Sequence, residues 1–142
     1  VSTDPQQVLQ EVFGYPTFRG DQRAVIDRTI AGLDSVVLMP TGGGKSLCYQ
    51  VPSIVMPGVG IVVSPLIALM QDQVDALRLL GVKAAFWNSS LDDEAAYRVR
   101  KQLTASELDI LYVAPERLLL PEFLRLLREV DASTGIALFA ID

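Results

Sequence analysis

A chain of 142 residues, half of them hydrophobic, is long enough for one domain with a sizeable core and too short for a second. With no histidine and one cysteine, Cys48, it cannot supply a Ser–His or Cys–His nucleophile pair, a histidine-bound zinc or an internal disulfide, so its chemistry must run on carboxylates, Lys, Arg and a metal. The formal net charge of −5 argues against a broad nucleic-acid surface, because binding by phosphate neutralisation leaves a basic footprint. The apolar runs are short and broken, none long enough to span a membrane, and the N-terminus lacks a signal pattern, which points to the cytoplasm.

Thr3-Asp4-Pro5 reads as a helix start, a capping residue followed by proline in the first turn, with Val8, Leu9 and Val12 as its apolar stripe. Phe13-Gly14-Tyr15-Pro16 ends it, and a second helix opens near Gly20-Asp21 and runs through Val25, Ile26 and Ile30 to Gly32. Between the two lie Tyr15, Phe18, Arg19 and Gln22. A ring, a guanidinium and an amide suit a purine, the flat groups by stacking and the amide by pairing with adenine's N6 and N7 edge. Core aromatics beside a solvated polar pair would share the same spacing.

Ser35-Val36-Val37-Leu38-Met39 reads as a short strand feeding Pro40-Thr41-Gly42-Gly43-Gly44-Lys45-Ser46, and Ser46 to Met56 has helical apolar spacing, with Pro52 expected to kink it. The glycines of such a turn let the backbone N–H groups face inward around a polyphosphate. Lys45 can reach the outer phosphates, Ser46 can ligate Mg²⁺, and the following helix adds its positive dipole end. Met39 stands where the strict G-x-x-x-x-G-K-[ST] spacing wants glycine, so the match is to the shorter core. Cys48, on that helix, reads as a packing residue.

Gly60 to Ser64 is a buried strand closed by Pro65, and Leu66, Leu69, Met70, Val74, Leu77 and Leu80 mark a helix that Gly81 caps. A strand over Lys83 to Trp87 follows, then Asn88-Ser89-Ser90 as the cap of a helix over Asp92 to Leu103, whose Arg98, Arg100 and Lys101 read as a solvated face. Asp109 to Val113 is the next strand, followed by Ala114-Pro115-Glu116-Arg117, a leucine-rich helical stretch to Val130 interrupted by Pro121, and a last strand from Ile136 to Ile141. Strands that alternate with helices and are apolar throughout imply a parallel sheet covered on both faces, and hence an α/β P-loop layer sandwich. An apolar strand closing on Asp142 supplies the second half of a nucleotide-hydrolysis site, a carboxylate holding Mg²⁺ opposite Ser46.

Taken together, these stretches resemble the first motor domain of RecQ-type DNA helicases across nearly the whole chain. Phe13-Gly14-Tyr15 with Phe18-Arg19 and Gln22 resembles that family's adenine-recognition motif. Thr41 to Pro52 resembles its motif I, and Val63 to Val74 its motif Ia. Ala114-Pro115-Glu116-Arg117-Leu118 and Ala140-Ile141-Asp142 fit as well. The resemblance explains Met39, since helicases of this superfamily use the shortened cradle. It implies a RecA-like three-layer α/β/α sandwich with a mainly parallel sheet, truncated, in which residues 1–142 are the N-terminal portion of motor domain 1, the ATP-binding lobe, ending inside motif II. Tyr15, Arg19, Gln22, Thr41, Gly42, Gly43, Gly44, Lys45 and Ser46 would bind ATP, Lys45 and Asp142 would be catalytic, and Ser46 and Asp142 would hold Mg²⁺.

On the same grounds Ser64, Pro65, Asn88, Ser89, Pro115 and Arg117 would line a track for single-stranded and partly duplex DNA, largely through backbone and phosphate contacts. Family members follow this aspartate with Glu-Ala-His and carry a second motor domain whose arginines reach the phosphates. The expectation is therefore of a 3′-to-5′ DNA helicase acting in repair and recombination, cytoplasmic or, with its DNA, nucleoid-associated or nuclear. The isolated stretch would be inactive and would show apolar surface where further strands belong. An RNA helicase of the same superfamily and a non-motor P-loop switch or kinase share the cradle and Asp142.

Overall fold

The structure, a computed structural model, describes residues 3–39 and 44–142. The first helix, α1 (Pro5–Glu11), starts as its sequence dictates: the Asp4 carboxylate accepts the Gln6 N–H at 3.2 Å, and Pro5 sits where no N–H partner is needed. It buries Val8 and Leu9, and α2 (Gln22–Ile30) buries Gln22 and Ile26. The next helix, α3 (Leu47–Val55), is buried from Cys48 onward, between the first two helices and the sheet. It runs on through Pro52, which lacks the N–H that would pair with the Cys48 carbonyl.

The remaining elements alternate: β1 (Val59–Val63), α4 (Ile67–Leu79), β2 (Ala84–Trp87), α5 (Asp93–Thr104), β3 (Ile110–Val113), α6 (Pro115–Leu118), α7 (Pro121–Ser133) and β4 (Ile136–Ile141). Among the described residues the strands form one parallel sheet in the order β2-β3-β1-β4, with Ile61 opposite both Leu111 and Phe139. Alternation along each strand sorts the core into two clusters. Val62, Ala84, Ile110 and Tyr112 pack with Ile26, Tyr49, Met70 and Val74 on one face. Ile61, Val63, Trp87, Leu111 and Val113 pack with Val99, Leu103, Phe123 and Leu126 on the other. Three layers result, α1 to α4 on one side and α5 and α7 on the other, which is the α/β/α sandwich expected. A methyl on Gly60 would run into the Ser53 side chain, so the glycine lets α3 lie close on β1.

Three local expectations change. Ser35 to Met39 is not a strand: Leu33 to Met39 runs as irregular chain, with Val36 and Leu38 each 93% exposed. β-branched residues make a strand only where a neighbour completes the ladder, and this segment pairs with none of the four strands. The cap of α5 is Asp92, whose carboxylate accepts the Ala95 N–H at 2.8 Å, and not the Asn88-Ser89-Ser90 run. Along α4 only Met70, Val74 and Leu77 are buried, while Leu66, Leu69 and Leu80 are exposed. Met70, Val74 and Leu77 follow one another at four- and three-residue steps and form the stripe that meets the core, whereas Leu69 lies off that stripe and Leu66 and Leu80 cap the two ends of the helix.

Candidate functional site

The turn into α3 begins at Gly44, whose φ of +77° is a left-handed conformation that suits glycine. Leu47 N–H donates to the Gly44 carbonyl at 3.2 Å and Cys48 N–H to that of Lys45 at 3.0 Å, winding the chain tightly into the helix. Thr41, Gly42 and Gly43, three of the expected phosphate-binding residues, lie outside the described residues. Beside Gly44 is a small pocket of about 140 Å³ lined by Tyr15, Thr17, Arg19, Gln22 and Leu47. The expected adenine residues are thus brought together next to the cradle. Tyr15 and Arg19 are both exposed at this pocket.

Gln22 does something its spacing did not announce. It is 2% exposed, its Nε2 donates to the Gly44 carbonyl at 3.0 Å, and its Oε1 accepts the Arg19 N–H at 2.8 Å. The amide therefore ties the loop before α2 to the cradle while keeping one donor and one acceptor site of its inventory in hand. Phe18 packs against the core, with the Arg23 guanidinium 5.7 Å above its ring.

At the other end of the cradle, Lys45 Nζ lies 3.0 Å from Oδ1 of Asp142. The two side chains are 49% and 14% exposed, so the lysine is free to swing and the carboxylate is held. Asp142 N–H donates to the Val63 carbonyl at 2.9 Å, and Oδ2 lies 3.3 Å from the Tyr49 hydroxyl. Ser46 stands on the turn that opens α3. A cleft of about 590 Å³ runs from Lys45, Cys48 and Tyr49 along β4 to the chain at Leu33 to Val37. Burial pushes the Cys48 thiol up, as befits a packing residue. It also pushes up the Tyr49 hydroxyl, with Tyr112 and the Asp142 carboxylate adding to the shift, and that of Tyr112, although hydrogen bonds from Gln50 and Tyr49 pull the latter down.

Among the described residues no three His, Cys, Asp or Glu side chains gather as a metal cage. The donors available are one carboxylate and one hydroxyl, hard oxygens that suit Mg²⁺ carried in with a phosphate better than a resident transition metal.

The remaining expected residues lie on one rim, because each follows the C-terminal end of a strand: Ser64 and Pro65 after β1, Asn88 and Ser89 after β2, Pro115 and Arg117 after β3. Pro65 and Ser89 are exposed. Ser64 and Asn88 are buried. Asn88 accepts from the Ser90 N–H at 2.8 Å and donates from Nδ2 to the Met70 sulfur at 3.4 Å, so its side chain shapes the rim from beneath. The Arg117 guanidinium stacks 4.9 Å from the Trp87 ring centroid. Tyr49 and Gln73 are not among the expected site residues; both fall inside the stretches that resemble motifs I and Ia, but no local spacing links either of them to Asp142.

Comparison with known proteins fits this layout. The family model described as DEAD/DEAH box helicase matches residues 19–142. "ATP-dependent DNA helicase RecQ" of Pasteurella multocida is 45% identical over 126 residues, covering 89% of this chain and 20% of the relative. The protein of the same name from Haemophilus influenzae is 46% identical over 120 residues, covering 84% and 19%, and that from Bacillus subtilis 43% over 138 residues, covering 96% and 23%. The chain thus spans about a fifth of the length of these curated relatives. No helix among the described residues is long and apolar enough to cross a membrane.

Proposed function

Because the chain belongs to the DEAD/DEAH box helicase family, we propose that it is the ATP-binding lobe of a RecQ-like, ATP-dependent DNA helicase. The single observation that carries this reading is the Lys45–Asp142 pair, which unites the cradle and the closing aspartate at 3.0 Å. In this assignment Tyr15 and Arg19 flank the adenine, and Gln22 offers it the unused part of its amide. Thr41, Gly42, Gly43, Gly44, Lys45 and Ser46 would bind the phosphates. As phosphate arrives, Lys45 exchanges the carboxylate for the outer phosphate oxygens, a change its half-exposed side chain permits. Asp142 and Ser46 would then be left to hold Mg²⁺, which would neutralise the charge that develops on the transferring phosphoryl group.

A second motor domain of the same parent protein closes the cleft and completes the active site, and cycles of closure move the strand along the rim at Ser64, Pro65, Asn88, Ser89, Pro115 and Arg117. With most rim contacts made by backbone and small polar groups, an acidic domain can hold DNA without a broad basic face. Likeness to RecQ proteins favours single-stranded and partly duplex DNA over RNA, 3′-to-5′ movement, and a place in repair and recombination wherever the cell keeps its DNA.

The test is ATP turnover by the full-length protein, alone, with single-stranded DNA and with RNA, beside Lys45→Ala. Stimulation by DNA that falls at least roughly a hundredfold in the variant is expected. Stimulation by RNA instead would move the protein to the RNA helicases, and turnover indifferent to either would make it a non-motor P-loop enzyme.

A further inference from the structure

Tyr49 is the side chain on which the cradle helix, β4 and α4 converge, and the function proposed above makes no use of it. Its hydroxyl lies 3.3 Å from Asp142 Oδ2 and 3.1 Å from Oε1 of Gln73, which stands on α4. A phenol has one proton, so donation to the carboxylate and donation to the amide oxygen exclude each other. Gln73 resolves the competition by the face it shows. With its oxygen toward Tyr49 it draws the proton; turned over, its NH₂ donates to the phenol oxygen and releases the proton to Asp142.

The surroundings make this a defined choice. Tyr49 is 8% exposed, and its ring meets that of Tyr112 edge-on at 6.3 Å, while Gln50 Nε2 donates to the Tyr112 hydroxyl at 3.0 Å. Once Lys45 turns to phosphate, Tyr49 is the side chain left holding Asp142, opposite the oxygen the lysine vacates. Gln73 stands on the helix that Ile67 opens directly after Leu66 and the Ser64-Pro65 rim, so a shift of that rim reaches the amide through a rigid element.

We infer that Tyr49 is a positioning residue, its hydroxyl orienting the Asp142 carboxylate toward the metal-bound nucleotide and, through Gln73, making that orientation answer to the placement of α4. The inference rests on the site being the Mg²⁺–ATP site of a nucleic-acid motor.

It is tested in the full-length protein with Tyr49→Phe and Gln73→Ala, by the affinity for a fluorescent ADP in Mg²⁺ and in EDTA, each with and without oligodeoxythymidine. Tyr49→Phe is expected to weaken binding roughly tenfold in Mg²⁺ and less than about twofold in EDTA, since only the metal-bound form needs the oriented carboxylate. Gln73→Ala is expected to abolish the response of the Mg²⁺ affinity to the oligonucleotide, and the double variant to resemble Tyr49→Phe rather than add to it. Equal losses of Tyr49→Phe in Mg²⁺ and EDTA, or no loss, overturn the positioning role. A wild-type affinity indifferent to the oligonucleotide, or a Gln73→Ala protein that still responds in full, overturns the link to α4, and this arm decides if Tyr49→Phe does not fold. Wild-type protein that binds no nucleotide under any condition would instead remove the functional reading, and this inference with it.

Discussion

β1 and β4 are neighbouring parallel strands of nearly equal apolar character, yet all five residues of β1 are buried while Phe139 and Ile141 of β4 are 56% and 78% exposed. The difference is position. Among the described residues β1 has a hydrogen-bonded partner on each side, β3 and β4, and helices over both faces, whereas β4 pairs with β1 alone and borders a cleft on its other side. Identical side chains therefore contribute core in one strand and surface in the next. The candidate site lies at this seam: Asp142 ends the less supported strand and is steadied from the better supported one, through the Val63 carbonyl, and by Tyr49.

The contrast is broken or sharpened most strongly by Leu111→Ala in β3, opposite Ile61 and fully buried. It should lower stability by about 3–4 kcal/mol in urea denaturation, as a cavity in a close-packed layer does. Gly60→Ala, which drives a methyl into Ser53, should cost about 2 kcal/mol by the same measurement, because α3 must move off β1. Alkaline pH should act next. Tyr49 and Tyr112 are held protonated in the folded chain above their ordinary value of 10, so the stabilisation is fully present below pH 10 and is lost as pH rises beyond it. Each should steepen the fall by about 1.4 kcal/mol per pH unit, and Tyr49→Phe with Tyr112→Phe should flatten it. Smallest of all is Ile141→Ser, expected to stay within about 0.5 kcal/mol of the parent. A loss comparable to that of Leu111→Ala would mean that β4 is covered in solution and the contrast is void.

Much of the local structure was legible because its causes lie within a few residues. Asp4 before Pro5 starts α1, Gly81 at φ +85° stops α4, and the two-residue alternation in β1 and β3 sorts side chains to opposite faces. The errors share one origin. Ser35 to Met39 has the composition of a strand but no ladder to join, and Asn88 has the chemistry of a cap but is drawn under α4 by burial against Met70. The part of Gln22 that spacing leaves silent is of the same kind: its hydrogen bonds to the Arg19 N–H and the Gly44 carbonyl depend on α2 being packed beside the cradle.

By itself the sequence determined the helix and strand periods, their caps, and a glycine-rich turn with Lys45 and Ser46, since backbone freedom and amphipathic spacing are properties of short stretches of chain. Tertiary structure alone decided which strand lies at the edge, which apolar residues stay wet, and which side chain meets the Asp142 carboxylate from Tyr49, 93 positions away. Those outcomes depend on the order of strands in the sheet, and that order is set by how two apolar faces are covered at once, a condition no local window of sequence contains.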